Sequence, residues 1–293
     1  MNAFPDPLDP LGTPRPPLLN CRGRLLDLSR PQVMGILNLT PDSFSDGGQY
    51  ATTDRALERV GEMLAEGASI IDIGGASSRP GAATISPDEE WARIAAVVTA
   101  IPQAYPQALV SIDTFHAAVA ERALAAGAHI INDISAGQAD PRILAVTAAA
   151  RAPYVLMHMQ GEPATMQAQP TYTDVVAEVY AHLVARIRAA RAAGIVDLVV
   201  DPGFGFGKTL AHNYELFRNL DKFSVLGLPL LVGISRKSMV YKLFSSQPED
   251  VLEITTALHF KALESGAKIL RVHDVRPACR AVQLHQYLTH GTL

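Results

Sequence analysis

From Gln32 onward the chain alternates short apolar runs with longer stretches in which apolar residues return every third or fourth position. The runs are QVMGILNL (32–39), SIIDIGG (69–75), ALVSIDT (108–114), HIINDIS (129–135), YVLMHM (154–159), LVVDPG (198–203), LPLLVGIS (228–235) and KILRVHD (268–274). A strand solvated on one face would alternate apolar and polar side chains. These runs do not, which marks strands covered on both faces, the habit of parallel sheets. The stretch TDVVAEVYAHLVARIRAARAAG (173–194) shows what connects them: Val175, Val179, Leu183 and Ile187 recur every fourth residue. That spacing predicts a helix, with Thr173 capping its start and Gly194 its end.

Eight strands, each followed by a helix, within about 250 residues have the rhythm of a single (β/α)8 TIM barrel. We assign it to residues 20–293, with CRGRLLDLSRP (21–31) forming a short hairpin or cap before the first barrel strand. Residues 1–19 hold six prolines, a density that blocks helix and central strand and predicts a disordered tail. An open doubly wound sheet shares the alternation, but it usually has fewer strands and a phosphate-binding fingerprint.

How the strands end carries the chemistry. Asn38, Asp113, Asn132, Asp133, His158, Asp201, Ser235, Arg236, Lys237, Arg271 and His273 all lie at or just after a predicted C-terminal strand end. Any one of them has a plain explanation as a helix cap. In a barrel, however, these ends converge on the face where active sites are built. The loops TPDSFSDGGQY (40–50) and GGASSRPGAAT (74–84) are long for such connections and have the composition of loops that close over a ligand.

Composition narrows the classes. The 293 residues are 48% hydrophobic and 18% charged, as in a compact globular protein, and a net charge of −4 gives no reason to expect nucleic acid. No run approaches the ~18 uninterrupted apolar residues of a membrane span, and no secretory leader is evident, so a cytoplasmic location is expected. Cys21 and Cys279 form no ligand pair and are expected to be reduced thiols. The nine histidines show no H-E-x-x-H or H-x-H pattern.

The segment DPGFGFGKT (201–209) poses a separate question, because glycines before Lys-Thr suggest a loop that cradles nucleotide phosphates. The first glycine of that pattern would fall on Pro202, which offers no N–H. The dinucleotide fingerprint fails too, since Gly203, Gly205 and Gly207 run G-x-G-x-G. A sharp turn that lets the backbone pass close to a ligand is the remaining reading.

Taken with MGILNLTPDSFSDGG, DIGGASSRPGA, SIDT, GAHIINDIS, LMHMQGEPATMQ, GISRKS and RVHDV, this segment resembles the dihydropteroate synthases of folate biosynthesis, in order and spacing, over residues ~31 to 283. The resemblance implies a transferase that joins (7,8-dihydropterin-6-yl)methyl diphosphate to 4-aminobenzoate, releasing diphosphate, with Mg²⁺ as cofactor and a homodimeric assembly. Carried over, Asp113, Asn132, Asp201 and Lys237 form the pterin slot. Arg271, His273 and Ser78 hold the diphosphate, and Asn38 ligates Mg²⁺. Phe44, Pro80, Phe206, Lys237 and Ser238 build the 4-aminobenzoate pocket, and Arg79, Asp42 and Asp46 join on loop closure. Asp113, Lys237 and Arg271 are the catalytic set.

One departure stands out. Where the family usually has Glu-Ser-Thr before Arg-Pro-Gly, this chain has Ala76-Ser77-Ser78. Loss of that carboxylate is expected to alter affinity for 4-aminobenzoate or sulfonamides, with catalysis intact. Two alternatives remain at this stage: a pterin-binding methyltransferase with a corrinoid partner, against which the TPDSFSDGG and SRKS loops speak, and a paralogue that binds pterin without turnover.

Overall fold

The structure is a computed structural model that describes residues 18–40, 49–77, 84–162 and 165–291. A two-stranded antiparallel hairpin, β1 (Leu18–Cys21) and β2 (Arg24–Asp27), precedes a closed barrel of eight parallel strands. The barrel strands are β3 (Gln32–Asn38), β4 (Ile70–Gly74), β5 (Leu109–Asp113), β6 (Ile130–Asp133), β7 (Tyr154–Met157), β8 (Leu198–Asp201), β9 (Leu230–Val232) and β10 (Ala267–Val272). Seven lie inside one of the apolar runs and β10 starts one residue before its own; β10 closes the ring by pairing with β3, Ile269 opposite Gln32. The hairpin strand begins at Leu18, so Leu18 and Leu19 belong to the hairpin and not to the Pro-rich tail.

Nine α-helices lie among the described residues: α1 (Gln49–Ala65), α2 (Pro87–Ala104), α3 (Ala117–Ala125), α4 (Arg142–Ala149), α5 (Val175–Ala192), α6 (Leu210–Arg218), α7 (Ser238–Tyr241), α8 (Leu252–Glu264) and α9 (Val275–His290). The helix expected over 173–194 is α5, but its cap is Asp174, whose carboxylate accepts from Ala177 N at 2.9 Å. Thr173 instead donates its N–H to Glu178. Asp outranks Thr as a cap, and Glu178 draws the preceding backbone N–H groups onto its own carboxylate. Gly194 follows the helix with φ 97, a left-handed conformation suited to glycine.

Strand alternation divides the barrel into two cores. Outward residues such as Ile71, Ile73, Val110, Ile112, Ile131, Leu156, Val200 and Val232 pack against the helices in one large cluster. Inward residues at the strand starts, Met34, Ile70, Leu109, Ile130, Val155, Val199, Leu231 and Ile269, form a second cluster with Leu19, Cys21, Leu26 and Leu28 of the hairpin. The hairpin therefore plugs the N-terminal end of the barrel. Arg22 donates to Leu124 O and Ala128 O at 2.7 Å, and Arg24 donates to Pro106 O and Ala108 O at 3.0 and 2.9 Å, so both arginines latch the plug to backbone carbonyls near the helix ends and strand starts. Cys21 and Cys279 are free thiols, and among the described residues no helix is long and apolar enough to cross a membrane.

Candidate active site

Two residues beyond the apolar layer, the same inward positions turn polar. Ile70 is followed by Asp72, Ile130 by Asn132, Val199 by Asp201 and Ile269 by Arg271, so a period of two puts all four above the plugged end. Asp113 closes β5 in the same way, two positions after Ser111.

Arg271 is the hub. Its Nε donates to Asp72 Oδ2 at 2.6 Å and its Nη2 donates to Asp113 Oδ2 at 2.7 Å. Asp72 is fully buried and also accepts from Asn132 Nδ2 at 3.0 Å. That bond fixes the orientation of the Asn132 amide and aims its oxygen away from Asp72. Burial pushes the Arg271 guanidinium down, but Asp72 and Asp113 outweigh it and hold the group above its ordinary range. The Asp113 carboxyl is pushed up to about 7 by burial, with Arg271 pulling it down and Asp72 adding to the rise.

On the opposite side stands Asp201, 5% exposed, its carboxylate accepting from Gly203 N at 2.7 Å. Burial raises its pKa while Lys237 lowers it. Lys237 donates from Nζ to Phe204 O at 2.6 Å and lies 4.6 Å from the centre of the Phe206 ring. Burial depresses the ammonium to about 8, against the pull of Asp201. The turn that delivers Lys237 is tight, with Arg236 at φ 55 and paired to Asp274 at 2.7 Å. Phe206 belongs to an apolar patch with Ile134, Met157 and Met166. Ser238 opens α7 next to Lys237.

Two glycines keep the floor open. A Cβ at Gly233 would sit 3.7 Å from Arg271 Cβ and 3.9 Å from Lys237 Nζ, in the gap between the two cations. One at Gly74 would sit 3.5 Å from Asn38 Oδ1 and 3.7 Å from Asp113 Cβ. Asn38 therefore stands at the rim across an open gap from Asp113, and its side chain has no hydrogen-bond partner among the described residues. Among those residues no group of three or more His, Cys, Asp or Glu side chains could hold a metal ion.

Not every strand-end residue belongs to the site. Asp133 follows the inward Asn132 and therefore points outward. It is buried and accepts from Ser135 N, Ser135 Oγ, Gly137 N and the Tyr154 hydroxyl, which makes it a brace for the turn after β6. His158 is buried against Lys208, and Ser235 accepts from His273 N at 3.2 Å. Phe44, Ser78 and Pro80, with Asp42, Asp46 and Arg79, lie outside the described residues. Ala76 lines a small recess with Ser77, Glu90, Asp113, Thr114 and Phe115. The reading by strand ends missed Asp72, which sits within its run, although an Asp two positions after the inward Ile70 is the signal that finds it.

The glycine turn is sharp, as expected: Gly203, Gly205 and Gly207 have φ 71, 82 and 59. Two of the glycines also let the chain pass close to itself, since a Cβ at Gly203 would overlap His158 O and one at Gly207 would overlap Gln160 O. Thr209 caps α6, accepting from His212 N at 3.1 Å.

A family profile described as pterin binding enzyme matches residues 34–273. The dihydropteroate synthase of Escherichia coli K12 is 46% identical over 268 residues, covering 91% of this chain and 94% of that one. The chain belongs to the dihydropteroate synthase family. It is a transferase with the family's barrel, and two solved relatives show how far the likeness extends. The Yersinia pestis dihydropteroate synthase, solved with a sulfonamide drug, has a TM-score of 0.87 and 47% identity, covering 93% of this chain and 99% of its own. That of Xanthomonas albilineans, solved with 4-aminobenzoic acid, has a TM-score of 0.88 and 43% identity, covering 94% and 99%.

Proposed function

We propose that this rim joins (7,8-dihydropterin-6-yl)methyl diphosphate to 4-aminobenzoate, giving 7,8-dihydropteroate and diphosphate. The observation that carries the residue assignment is the single hydrogen-bonded set Asp113–Arg271–Asp72–Asn132, facing Asp201 and Lys237 across the gap at Gly233. The Asp201 carboxylate accepts side by side from the pterin amino group and ring N–H, Lys237 donates to the ring carbonyl, and the Asn132 oxygen meets a remaining donor.

Arg271 spends Nε and Nη2 on its two carboxylates, and among the described residues nothing engages Nη1, which is free for diphosphate. His273, and Ser78 from the second loop, complete that subsite. Phe206 walls the 4-aminobenzoate ring together with Phe44 and Pro80, while Lys237 and Ser238 meet its carboxylate. Asn38 suits Mg²⁺, which prefers oxygen donors and commonly shares its shell with water and substrate phosphate, so one amide oxygen opposite the open space at Gly74 fits. When bound there, the metal neutralises charge on the departing diphosphate.

Diphosphate leaves first, and the resulting pterin methylene cation is held by the Asp113 carboxylate until the aryl amine attacks. The amine attacks as a neutral nucleophile, and the anilinium formed is acidic enough to pass its extra proton to water or to the departing diphosphate, so no strong base is required. Positional isotope exchange within the diphosphate, measured without 4-aminobenzoate, is expected; its strict dependence on the second substrate would point to direct displacement. We place the enzyme in the cytoplasm as a homodimer. Leu284, Tyr287 and Leu288 support the dimer, since they lie one helical turn apart and more than half exposed on α9.

A further inference from the structure

The lysine of DPGFGFGKT plays no part in the assignment above. Lys208 is 2% exposed, and its Nζ bonds His158 Nδ1 at 2.9 Å, Gly203 O at 2.8 Å and Phe206 O at 3.1 Å. An ammonium carries three N–H donors, so these three partners use all of them and none remains for a phosphate. Burial and the Lys208 charge push His158 down to about 2, so the imidazole is neutral, and with an ammonium opposite it Nδ1 is the ring nitrogen that accepts. Burial pushes the Lys208 ammonium well below its ordinary range, and Asp201 pulls it back up.

The two carbonyls held by Lys208 flank Phe204, whose own carbonyl accepts from Lys237. One turn thus presents carbonyls to two lysines: Gly203 and Phe206 to Lys208, Phe204 to Lys237. The Phe206 ring beneath Lys237 belongs to the same turn. With three glycines the turn has little stiffness of its own. Lys208 braces it together with Asn213, whose Oδ1 accepts from Gly205 N at 2.7 Å, Asp201, which accepts from Gly203 N, Tyr172, whose hydroxyl donates to Gly207 O at 2.7 Å, and Gln167, which donates to Gly205 O.

We propose that Lys208 is a positioning residue for pterin recognition, its ammonium fixing the Phe204 carbonyl and the Phe206 ring and, through them, the place of Lys237 Nζ. The inference rests on the assignment of Asp201 and Lys237 to the pterin. It differs from a mere folding brace in what it does to substrate affinity.

The test uses the full chain and four variants, with KM for the pterin diphosphate, kcat and Tm measured for each. Lys208→Met is expected to raise that KM about ten- to a hundredfold, the range for losing a charged hydrogen-bonding group. His158→Leu removes one of the three acceptors and is expected to raise KM several-fold, while His158→Gln, whose amide oxygen accepts, restores it. A Lys208→Met enzyme with a pterin KM within about twofold of the parent overturns the inference, whatever its Tm. If Lys208→Met does not fold, the His158 pair decides: rescue by Gln supports the inference, and equal KM values for Leu and Gln overturn it. Asp201→Asn separates the two levels. Unchanged affinity in that variant removes the pterin assignment and this inference with it, whereas impaired Asp201→Asn beside unaffected Lys208→Met removes this inference alone.

Discussion

The two ends of the barrel are built from the same eight strands and the same inward alternation, yet they solve opposite problems. At the N-terminal end, Met34, Ile70, Leu109, Ile130, Val155, Val199, Leu231 and Ile269 meet the hairpin in a dry apolar layer. Two positions further along, Asp72, Asn132, Asp201 and Arg271 occupy the same column, the first three almost as buried and Arg271 partly so. Charges remain there because they pair across strands far apart in sequence: Arg271 reaches Asp72 and Asp113 over 199 and 158 residues. The lower layer gives stability at no electrostatic cost. The upper layer carries preorganised charge, which is expensive to bury and becomes useful when a substrate completes it.

If that division holds, substitutions at the two ends should separate stability from activity. Arg271→Met strands Asp72 and Asp113 without their cation and should cost about 3–5 kcal/mol, with turnover nearly abolished; thermal unfolding and diphosphate release would register both. Leu28→Ala, in the plug, should cost about 2–5 kcal/mol of stability and leave kcat unchanged below the melting range. A comparable loss of kcat at low temperature would mean the ends are coupled. Asp201→Asn should weaken pterin binding by about five- to 150-fold, from ~1–3 kcal/mol of unpaired polarity, and should also lower the melting temperature, because buried Lys208 and Lys237 lose the carboxylate that faces them.

Smaller effects sharpen the picture. The pH profile of kcat/KM for the pterin substrate should rise as Asp113 ionises through about 7 and fall as Lys237 loses its proton through about 8. A profile flat across that interval would show that neither charge matters to capture of the substrate. The smallest change is expected from Ala76→Glu, which adds a carboxylate beside the recess near Asp113; 4-aminobenzoate KM should shift by less than about tenfold, with kcat preserved.

The fold was readable because parallel strands covered on both faces leave uninterrupted apolar runs, and every barrel strand coincides with one to within a residue at its start. Finer features were harder. Thr173 and Asp174 are both good caps, and only the competing bond from Glu178 separates them. Among the site residues, strand ends located Asp113, Asn132, Asp201, Lys237 and Arg271, but position along a strand says nothing of the face it presents. Asp133 was included although it points outward, and Asp72 was passed over although it points in. Asp72 and Arg271 join segments whose proximity only the closed ring creates, and Lys208 meets His158 through the pairing of β7 with β8.

That ring closes last in order of synthesis. β3 finds its second neighbour in β10, the last strand among the described residues. Until Ala267–Val272 has left the ribosome, β3 and the strand at the growing end each present an unpaired edge, a template for association between nascent chains. The nascent chain therefore stays exposed to aggregation for most of its translation, and a truncation before β10 removes the fold as well as Arg271.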